Sequence, residues 1–346
     1  MQEPLPALTD LYLGTFRLIV LPDAFLGGYA PRLRTFTLHG VAFPAFPRFV
    51  LHATHIVSLS LFDIPNSEYS SLSPEAMANC LAALPDLETF DIEFGSPPSS
   101  PLQMTPPPRM HSVLPALTSF YFRGVSEYLE GLISLIDTPH LNELSIEFFM
   151  DLIFDIPQLH RFIGRTRRLR PLNPAQLQFS GDGIRISLGS SPTRLKLEII
   201  CEEPDWQLSS VAQVCNAHFP LLSQVEQLDI CETSSMKLAG KNEVDPSQWL
   251  ELFRPFSSVR SLYVSVTLEP LVAAALRELS GDRITELLPA LQNLSLDELG
   301  PSGPARDAME PFIAARQLSD RPVVVQRQKR QSQSKTDTPY ASEDEV

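Results

Sequence analysis

The sequence predicts a repetitive α/β fold in which short strands alternate with helices along most of the chain. Three observations predict it. One phrase, Leu5-Pro6-Ala7-Leu8-Thr9-Asp10-Leu11-Tyr12-Leu13, returns almost intact as Leu114-Pro115-Ala116-Leu117-Thr118-Ser119-Phe120-Tyr121-Phe122 and again as Leu288-Pro289-Ala290-Leu291-Gln292-Asn293-Leu294-Ser295-Leu296. Its tail alternates apolar and variable residues, the period of a strand with one buried face. Successive copies stand 23 to 34 residues apart, with one step of 84; the shorter steps leave room for one helix and two turns per strand.

Written generally, the unit is Pro-x-φ-x-x-φ-x-φ, with φ apolar. Weaker copies end in Phe36/Leu38, Leu59/Leu61, Phe90/Ile92, Leu144/Ile146, Leu228/Ile230 and Leu262/Val264, which makes nine in all. An apolar residue always stands three places before the φ-x-φ pair (Leu8, Leu33, Ile56, Leu87, Leu117, Leu141, Val225, Val259, Leu291), and proline keeps its place in six copies. Proline there suits a turn or a strand entry, where no ladder donor is needed.

Between the strands, helix starts recur. Ser73-Pro74-Glu75 opens an apolar-periodic run to Leu84, Ser126 precedes a run to Ile136, and Asp245-Pro246 precedes Trp249 to Phe253. A capping side chain followed by proline is the expected opening of a helix. Further helices are predicted over Pro204 to Phe219, Pro270 to Leu279 and Pro304 to Leu318.

The repeat breaks in the middle. The 84-residue step has room for about three further units and contains strand-like runs at Gln176 to Phe179, Ile184 to Leu188 and Arg194 to Ile200. Gly181-Asp182-Gly183 reads as a hairpin turn, with its glycines supplying positive φ. The expected organisation is a repeat domain over residues 1–327, with residues 175–200 irregular. A Pro-rich loop at 95–110 contains six prolines. A polar, acidic tail at 328–346 holds too few large apolar residues to fold.

Composition narrows the function classes. Forty-one acidic residues against 27 basic give a net charge of −14, which repels a phosphate backbone, so no nucleic acid is expected as a partner. No stretch approaches the roughly 20 apolar residues of a membrane span, and Met1-Gln-Glu-Pro does not open a signal peptide. The expectation is an intracellular protein, cytoplasmic or nuclear, with no membrane partner. Cys80, Cys201, Cys215 and Cys231 stand far apart, as reduced thiols do rather than disulfide or zinc frameworks.

Catalytic signals are weak. His52-x-x-His55 approaches metal spacing but lacks an evident Cys or carboxylate partner, and Gly181-Asp182-Gly183 lacks the length and lysine of a phosphate loop. No G-x-S-x-G elbow is present. Neither a catalytic residue, a metal nor a cofactor is expected. Arg161, Arg165, Arg167, Arg168 and Arg170 form the one basic cluster, read as a solvated helix C-terminus favouring the dipole or as a contact for an acidic or phosphorylated partner. Ser-Pro and Thr-Pro steps at Ser96, Ser100 and Thr105 read first as a bare loop, and otherwise as phosphorylation points or as a ligand for a proline-reading module.

The unit looks like a degenerate leucine-rich repeat, whose L-x-x-L-x-L strand lines the inner side of a horseshoe. The position that usually carries Asn or Cys holds Phe16, Val41, Ile64, Val125, Phe149 and Leu299 here. The predicted architecture is therefore a leucine-rich-repeat-like α/β solenoid, a horseshoe with a parallel concave sheet and outer helices, irregular in the middle. More specifically, the chain resembles the basidiomycete (fungal) F-box proteins. The stretches that carry this are Pro204-Asp205-Trp206-Gln207-Leu208-Ser209-Ser210, Trp249-Leu250-Glu251-Leu252-Phe253-Arg254-Pro255-Phe256, and Leu288 to Asn293 continuing to Pro301-Ser302-Gly303-Pro304 and Phe312-Ile313-Ala314-Ala315-Arg316-Gln317. The resemblance implies repeats that select a target for a ubiquitin ligase, while an F-box helix bundle docks the cullin adaptor. No F-box-like segment precedes Leu5, so neither the adaptor nor the cullin is an expected partner.

A parallel ladder of these strands turns φ inward and leaves the intervening positions as a solvent face. Tyr12, Asp91, Glu93, Tyr121, Arg123, Glu147, Asp229 and Tyr263 are the predicted protein-binding residues, a mixture of charges and exposed tyrosines. Aromatic anchors beside charges are typical of protein interfaces, and tyrosines on a sheet also serve as cross-strand pairs. The expected function is a non-catalytic scaffold that binds a basic or neutral protein segment. A structural or vestigial repeat without a dedicated ligand is the alternative, and an enzyme with a deep pocket of clustered Asp, His or Ser comes third.

Overall fold

Five of the six proline-led phrases fold as a hydrogen-bonded turn that feeds a strand, and the copy at Leu114 to Leu117 bends without that hydrogen bond. The protein is seen in a computed structural model that describes residues 3, 5–65, 72–98, 111–149, 156–169, 173–201, 204–218, 220–233, 245–279, 283–297 and 304–328. Leu8 N donates to Leu5 O at 3.1 Å, Leu33 N to Ala30 O at 3.2 Å, Leu87 N to Leu84 O at 3.3 Å, Leu141 N to Thr138 O at 3.3 Å and Leu291 N to Leu288 O at 3.0 Å. Proline sits second in each turn, where its fixed φ is already correct and its missing N–H costs nothing. Ser223-Gln224 and Ser257-Ser258 make the same turn without it, with Val225 N on Leu222 O at 3.1 Å and Val259 N on Phe256 O at 3.4 Å.

Strands and helices follow in alternation. The first half runs β1 (Asp10–Val20), β2 (Thr35–Ala42), α1 (Phe46–Val50), β3 (Ser58–Ile64), α2 (Pro74–Ala82), β4 (Thr89–Phe94), β5 (Ser112–Val113), β6 (Ser119–Gly124), α3 (Ser126–Ile133), β7 (Ile136–Asp137) and β8 (Glu143–Phe148). It continues through α4 (Pro157–Arg165), β9 (Ala175–Phe179), β10 (Gly183–Ser190), β11 (Thr193–Ile200), α5 (Pro204–His218), β12 (Gln227–Glu232), α6 (Pro246–Phe253), β13 (Ser261–Val264), α7 (Glu269–Arg277), α8 (Arg283–Glu286), β14 (Asn293–Asp297), α9 (Pro304–Leu318) and β15 (Val324–Gln328). All strands but β5 and β7 join one 13-stranded sheet, in the order β1-β2-β3-β4-β6-β8-β11-β10-β9-β12-β13-β14-β15. Neighbours run parallel throughout, except that β10 is antiparallel to both β11 and β9. The fold is mixed α/β with a large, mostly parallel sheet.

The predicted break in the repeat is a reversed meander. Strand β9 lies against β12, β10 turns back, and β11 returns beside β8, so the chain leaves in its original direction and the repeats resume. Ser180 closes the first turn, its N donating to Gly183 O at 2.8 Å and its Oγ to Asp182 Oδ1 at 2.6 Å. Neither Gly181 nor Gly183 has a positive φ, contrary to the reading from sequence. A side chain at Gly183 is excluded by closeness instead, since a Cβ there would stand 2.4 Å from the Ile199 carbonyl oxygen of β11.

A second substitution repairs the ladder beyond the meander. In regular copies one carbonyl just before a strand accepts from two successive amides of the next copy, as Thr118 O does from Asn142 N at 2.8 Å and Glu143 N at 3.0 Å. Before β9 that carbonyl is replaced by a side chain: Asn173 Oδ1 accepts from Glu226 N at 3.2 Å and Gln227 N at 3.1 Å.

One face of the sheet is apolar and buried. Phe36, Leu59, Phe90, Phe120, Leu144, Leu195, Leu188, Ala175, Leu228, Leu262 and Leu294 are consecutive partners across it, each at most 2% exposed. Phe90 and Phe120 stack with centroids 5.3 Å apart. Val41, Ile64 and Val125, which stand where a regular repeat has Asn or Cys, are buried too.

The helix starts behave as read. Ser73 Oγ accepts from Ala76 N at 3.3 Å, and Asp245 Oδ1 from Ser247 N at 2.9 Å, each followed by proline. The run from Ser126 ends earlier than expected, at Ile133, because Ile136 and Asp137 pair with Ser112 and Val113 in a small parallel ribbon. β15 was not anticipated: it adds a strand without a proline-led phrase. Residues 99–110 of the Pro-rich loop, Phe219, Leu299, and the tail from 329 lie outside the described residues.

Candidate functional site

The positions between the buried residues align into one row. From β1 to β15 it reads Tyr12, Thr37, Ser60, Asp91, Tyr121, Ser145, Lys196, Ser187, Gln176, Asp229, Tyr263, Ser295 and Gln326, each the register partner of the next. All but two of these side chains are at least partly accessible; Ser60 and Tyr263 are 7% and 9% exposed. At about 4.8 Å per strand, the row extends roughly 58 Å.

The predicted residues fall into three groups along it. Tyr12 stands alone on the edge strand, 65% exposed. Asp91, Glu93, Tyr121, Arg123 and Glu147 come together on β4, β6 and β8. Asp229 and Tyr263 are partners on β12 and β13; β8 and the three strands of the meander set Asp229 roughly 24 Å from Tyr121.

The middle group is a charge network. Arg123 Nη1 donates to Glu93 Oε1 at 2.8 Å, its Nε lies 2.9 Å from Glu147 Oε1, and its guanidinium sits 5.7 Å from the centre of the Phe149 ring. Tyr121 donates its hydroxyl to Glu147 Oε2 at 3.2 Å. Ser60 Oγ donates to Asp91 Oδ2 at 2.8 Å. Burial pushes the Glu147 carboxyl above the usual glutamate range, with Arg123 pulling the other way. Burial also raises Asp91, against the hydrogen bond from Ser60. For Arg123 burial works to lower the value, but Glu147 and Glu93 outweigh it and hold the guanidinium firmly charged.

Two expectations need correction. Tyr121 and Tyr263 were expected to be exposed aromatic anchors like Tyr12. The structure half-buries Tyr121 against Glu147 and leaves Tyr263 9% exposed between Asp229 and Ser295. A large ring on a pleated face lies down over its smaller neighbours, so sequence position alone overstates its accessibility.

The sequence reading missed the charges that the meander contributes. Arg185 of β10 and Glu198 of β11 pair at 2.7 Å, and their register continues the line Glu93, Arg123, Glu147. Alternation within 183–200 identifies these side chains once the hairpin is recognised. The neighbouring order of β11 and β8 is tertiary information that no local pattern holds.

The basic cluster is partly structural. Arg161 and Arg165 lie inside α4, and Arg165 donates to the carbonyl of Ile133, the last residue of α3, and to that of Ile136 just past it. Glu130 of α3, 6% exposed, accepts in turn from Gln158 N and Leu159 N at the start of α4, both at 2.7 Å. Each helix thus caps its neighbour, anion at an N-terminus and cation at a C-terminus. His55 is paired with Asp86 at 3.3 Å, a carboxylate the spacing gave no hint of. Among the described residues no group of three or more His, Cys, Asp or Glu could hold a metal ion, and no helix is long and apolar enough to cross a membrane.

No protein-family model matches the chain, and no curated protein matches it. A solved structure to which it is similar is a leucine-rich repeat-containing protein from Legionella pneumophila, 14% identical, covering 91% of this chain and 92% of that one with a TM-score of 0.32.

Proposed function

We propose that the chain is a non-catalytic, leucine-rich-repeat-like scaffold that binds another protein across the polar face of its sheet, in the manner of the target-selecting repeats of the fungal F-box proteins it resembles. The observation that carries this is the continuous row from Tyr12 to Gln326, with partly accessible side chains of mixed charge along it. A row of roughly 58 Å is far longer than any small molecule and suits an extended or folded polypeptide. The net charge of −14 disfavours nucleic acid and favours a neutral or basic partner. The horseshoe curvature and a cytoplasmic or nuclear setting belong to the same reading.

One observation favours a purely structural role instead: much of the central network is satisfied internally, Arg123 by Glu93 and Glu147, and Glu147 by Tyr121. Substitution separates the two. Partners identified by proximity labelling are recovered with the wild-type chain, then with Ser145→Arg and Ser187→Arg on the polar face and Asn79→Arg on the outer surface of α2. Loss of the partner with the first two and retention with the third supports the proposal. Retention with all three, or loss only with Asn79→Arg, refutes it.

A further inference from the structure

The two ends of the sheet are built differently. Among the described residues no strand lies beyond β1 on one side or beyond β15 on the other. β15 is five residues long and carries Gln326, Arg327 and Gln328, the polar and charged side chains that protect a sheet edge. β1 is eleven residues long, and from Leu11 to Phe16 it carries neither charge nor proline. Three of its side chains, Tyr12, Ile19 and Val20, are 65%, 48% and 59% exposed. We infer that the free edge of β1 pairs with β1 of a second copy of this chain, antiparallel about a two-fold axis at Tyr12. The inference goes beyond the polar-face reading, because it concerns the edge of the sheet.

Backbone direction fixes which groups the edge offers. Thr9 O accepts from Arg34 N at 2.7 Å and from Thr35 N at 3.0 Å, so Thr9 faces β2. Successive residues of a strand point their N–H and C=O to opposite sides. Leu11 and Leu13 therefore face β2 as well, and Asp10, Tyr12 and Gly14 turn both groups outward. Pairing with β2 keeps one register from Asp10 to Gly14, so the outward groups are evenly spaced. An antiparallel neighbour exchanges both bonds between opposite residues. Two copies of this segment satisfy that condition with Tyr12 opposite Tyr12 and Asp10 opposite Gly14.

The side chains agree with this register on both faces. On the apolar face, Leu11 comes opposite Leu13 of the second copy. These leucines are only partly buried, whereas their partners on β2, Phe36 and Leu38, are 0% and 3% exposed; one more strand gives them the same cover. On the polar face, the Tyr12 ring lies along its own strand, its hydroxyl oxygen 2.8 Å from where a Cβ on Gly14 would stand. The residue across from Gly14 is Asp10 of the second copy, so each phenol is placed to donate to the opposite carboxylate, and Gly14 leaves room for both. No like charges stand opposite one another, the arrangement in which cross-strand pairs stabilise. A two-fold pair also closes on itself, whereas joining β1 to β15 of another copy would build an open filament.

The test is sedimentation velocity of the full chain over a range of concentrations. A reversible dimer is expected, with a dissociation constant on the order of micromolar, the weak end for protein interfaces. Tyr12→Glu sets like charges against one another and against Asp10, and is expected to weaken the dimer at least tenfold with circular dichroism unchanged. Tyr12→Cys brings two thiols across the axis with Cα atoms about 5.5 Å apart, within disulfide reach. It is expected to crosslink under mild oxidation at least tenfold faster than Thr37→Cys, one strand inward, with the wild-type chain and its half-buried Cys231 as background. A chain that stays monomeric well above micromolar concentration, a dimer indifferent to Tyr12→Glu, or equal crosslinking of the two cysteine variants overturns the inference. A monomer whose Tyr12→Glu variant loses a partner recovered by proximity labelling gives the edge to a different protein and overturns the second copy too. The Ser145→Arg and Ser187→Arg variants lie on other strands, so the polar-face reading stands or falls separately.

Discussion

Tyr121 donates its hydroxyl to Glu147 Oε2 at 3.2 Å, from the central strand of the charge network to its neighbour. The two residues come from successive copies of one sequence phrase, 26 residues apart. They meet because each phrase delivers its strand in the same register.

The phenol of Tyr121 is pushed well above the ordinary tyrosine range of about 10, first by burial and then by the charges of Glu147 and Glu93, against Arg123. Tyr121→Phe is therefore expected to leave the phenolate absorbance that develops around the ordinary tyrosine range undiminished in spectrophotometric titration. A loss of one tyrosine's amplitude there contradicts the geometry. The stability cost of the substitution, one hydrogen bond to a charged acceptor, is expected at about 1–2 kcal/mol in urea unfolding.

Glu147 and Asp91 both titrate above their unfolded values, each chiefly through burial. The folded chain then binds these protons more tightly than the unfolded chain. Their stabilising contribution is fully present below the unfolded carboxylate values of about 4 and is lost as pH rises through the folded ones. Glu147→Gln together with Asp91→Asn is expected to flatten the fall in stability with rising pH over that window. Urea midpoints measured across it check this, and an unchanged or steeper slope refutes it.

Asn173 stands in for a backbone carbonyl at the seam between the meander and β12. Asn173→Ala is expected to cost about 1 kcal/mol, near the lower end for unpaired amides because water reaches this site. Asn173→Asp keeps an acceptor in place and is expected to recover most of the loss. Equal destabilisation by both substitutions would assign the effect to the turn rather than to the hydrogen bonds.

Glu130 is the buried partner in the reciprocal capping of α3 and α4. Glu130→Ala removes both acceptors from the amides of Gln158 and Leu159 and is expected to destabilise the chain by about 3 kcal/mol. Hydrogen exchange localises the effect: the first turn of α4 is expected to lose protection before β9 does. Uniform loss across the sheet contradicts a local cap.

The strand positions were legible because the phrase marks them twice, through a proline-led turn and through an apolar pair of period 2. Leu33, Leu87 and Leu141 announce β2, β4 and β8 before any contact is known. Helix entries at Ser73 and Asp245 were legible for the same reason, a capping side chain beside proline. What escaped depends on distance along the chain. Nothing local tells β11 to return beside β8, and so the pairing of Arg185 with Glu198 could not be aligned with Arg123. Arg165 resembles an ordinary helix-end cation until α3 is laid beside it. Tyr263 shares its sequence position with Tyr12, yet one is a strand interior to the sheet and the other is at its edge.

The measurement closest to the central claim is photo-crosslinking of a purified complex with a light-activated residue placed at Ser145, Ser187 or Ser295 on the polar face, and at Asn79 or Arg161 on exposed helix surfaces. The account predicts crosslinks from the first three to one bound protein and none from the last two. Crosslinks confined to Asn79 and Arg161 would place the partner on the helices and contradict it.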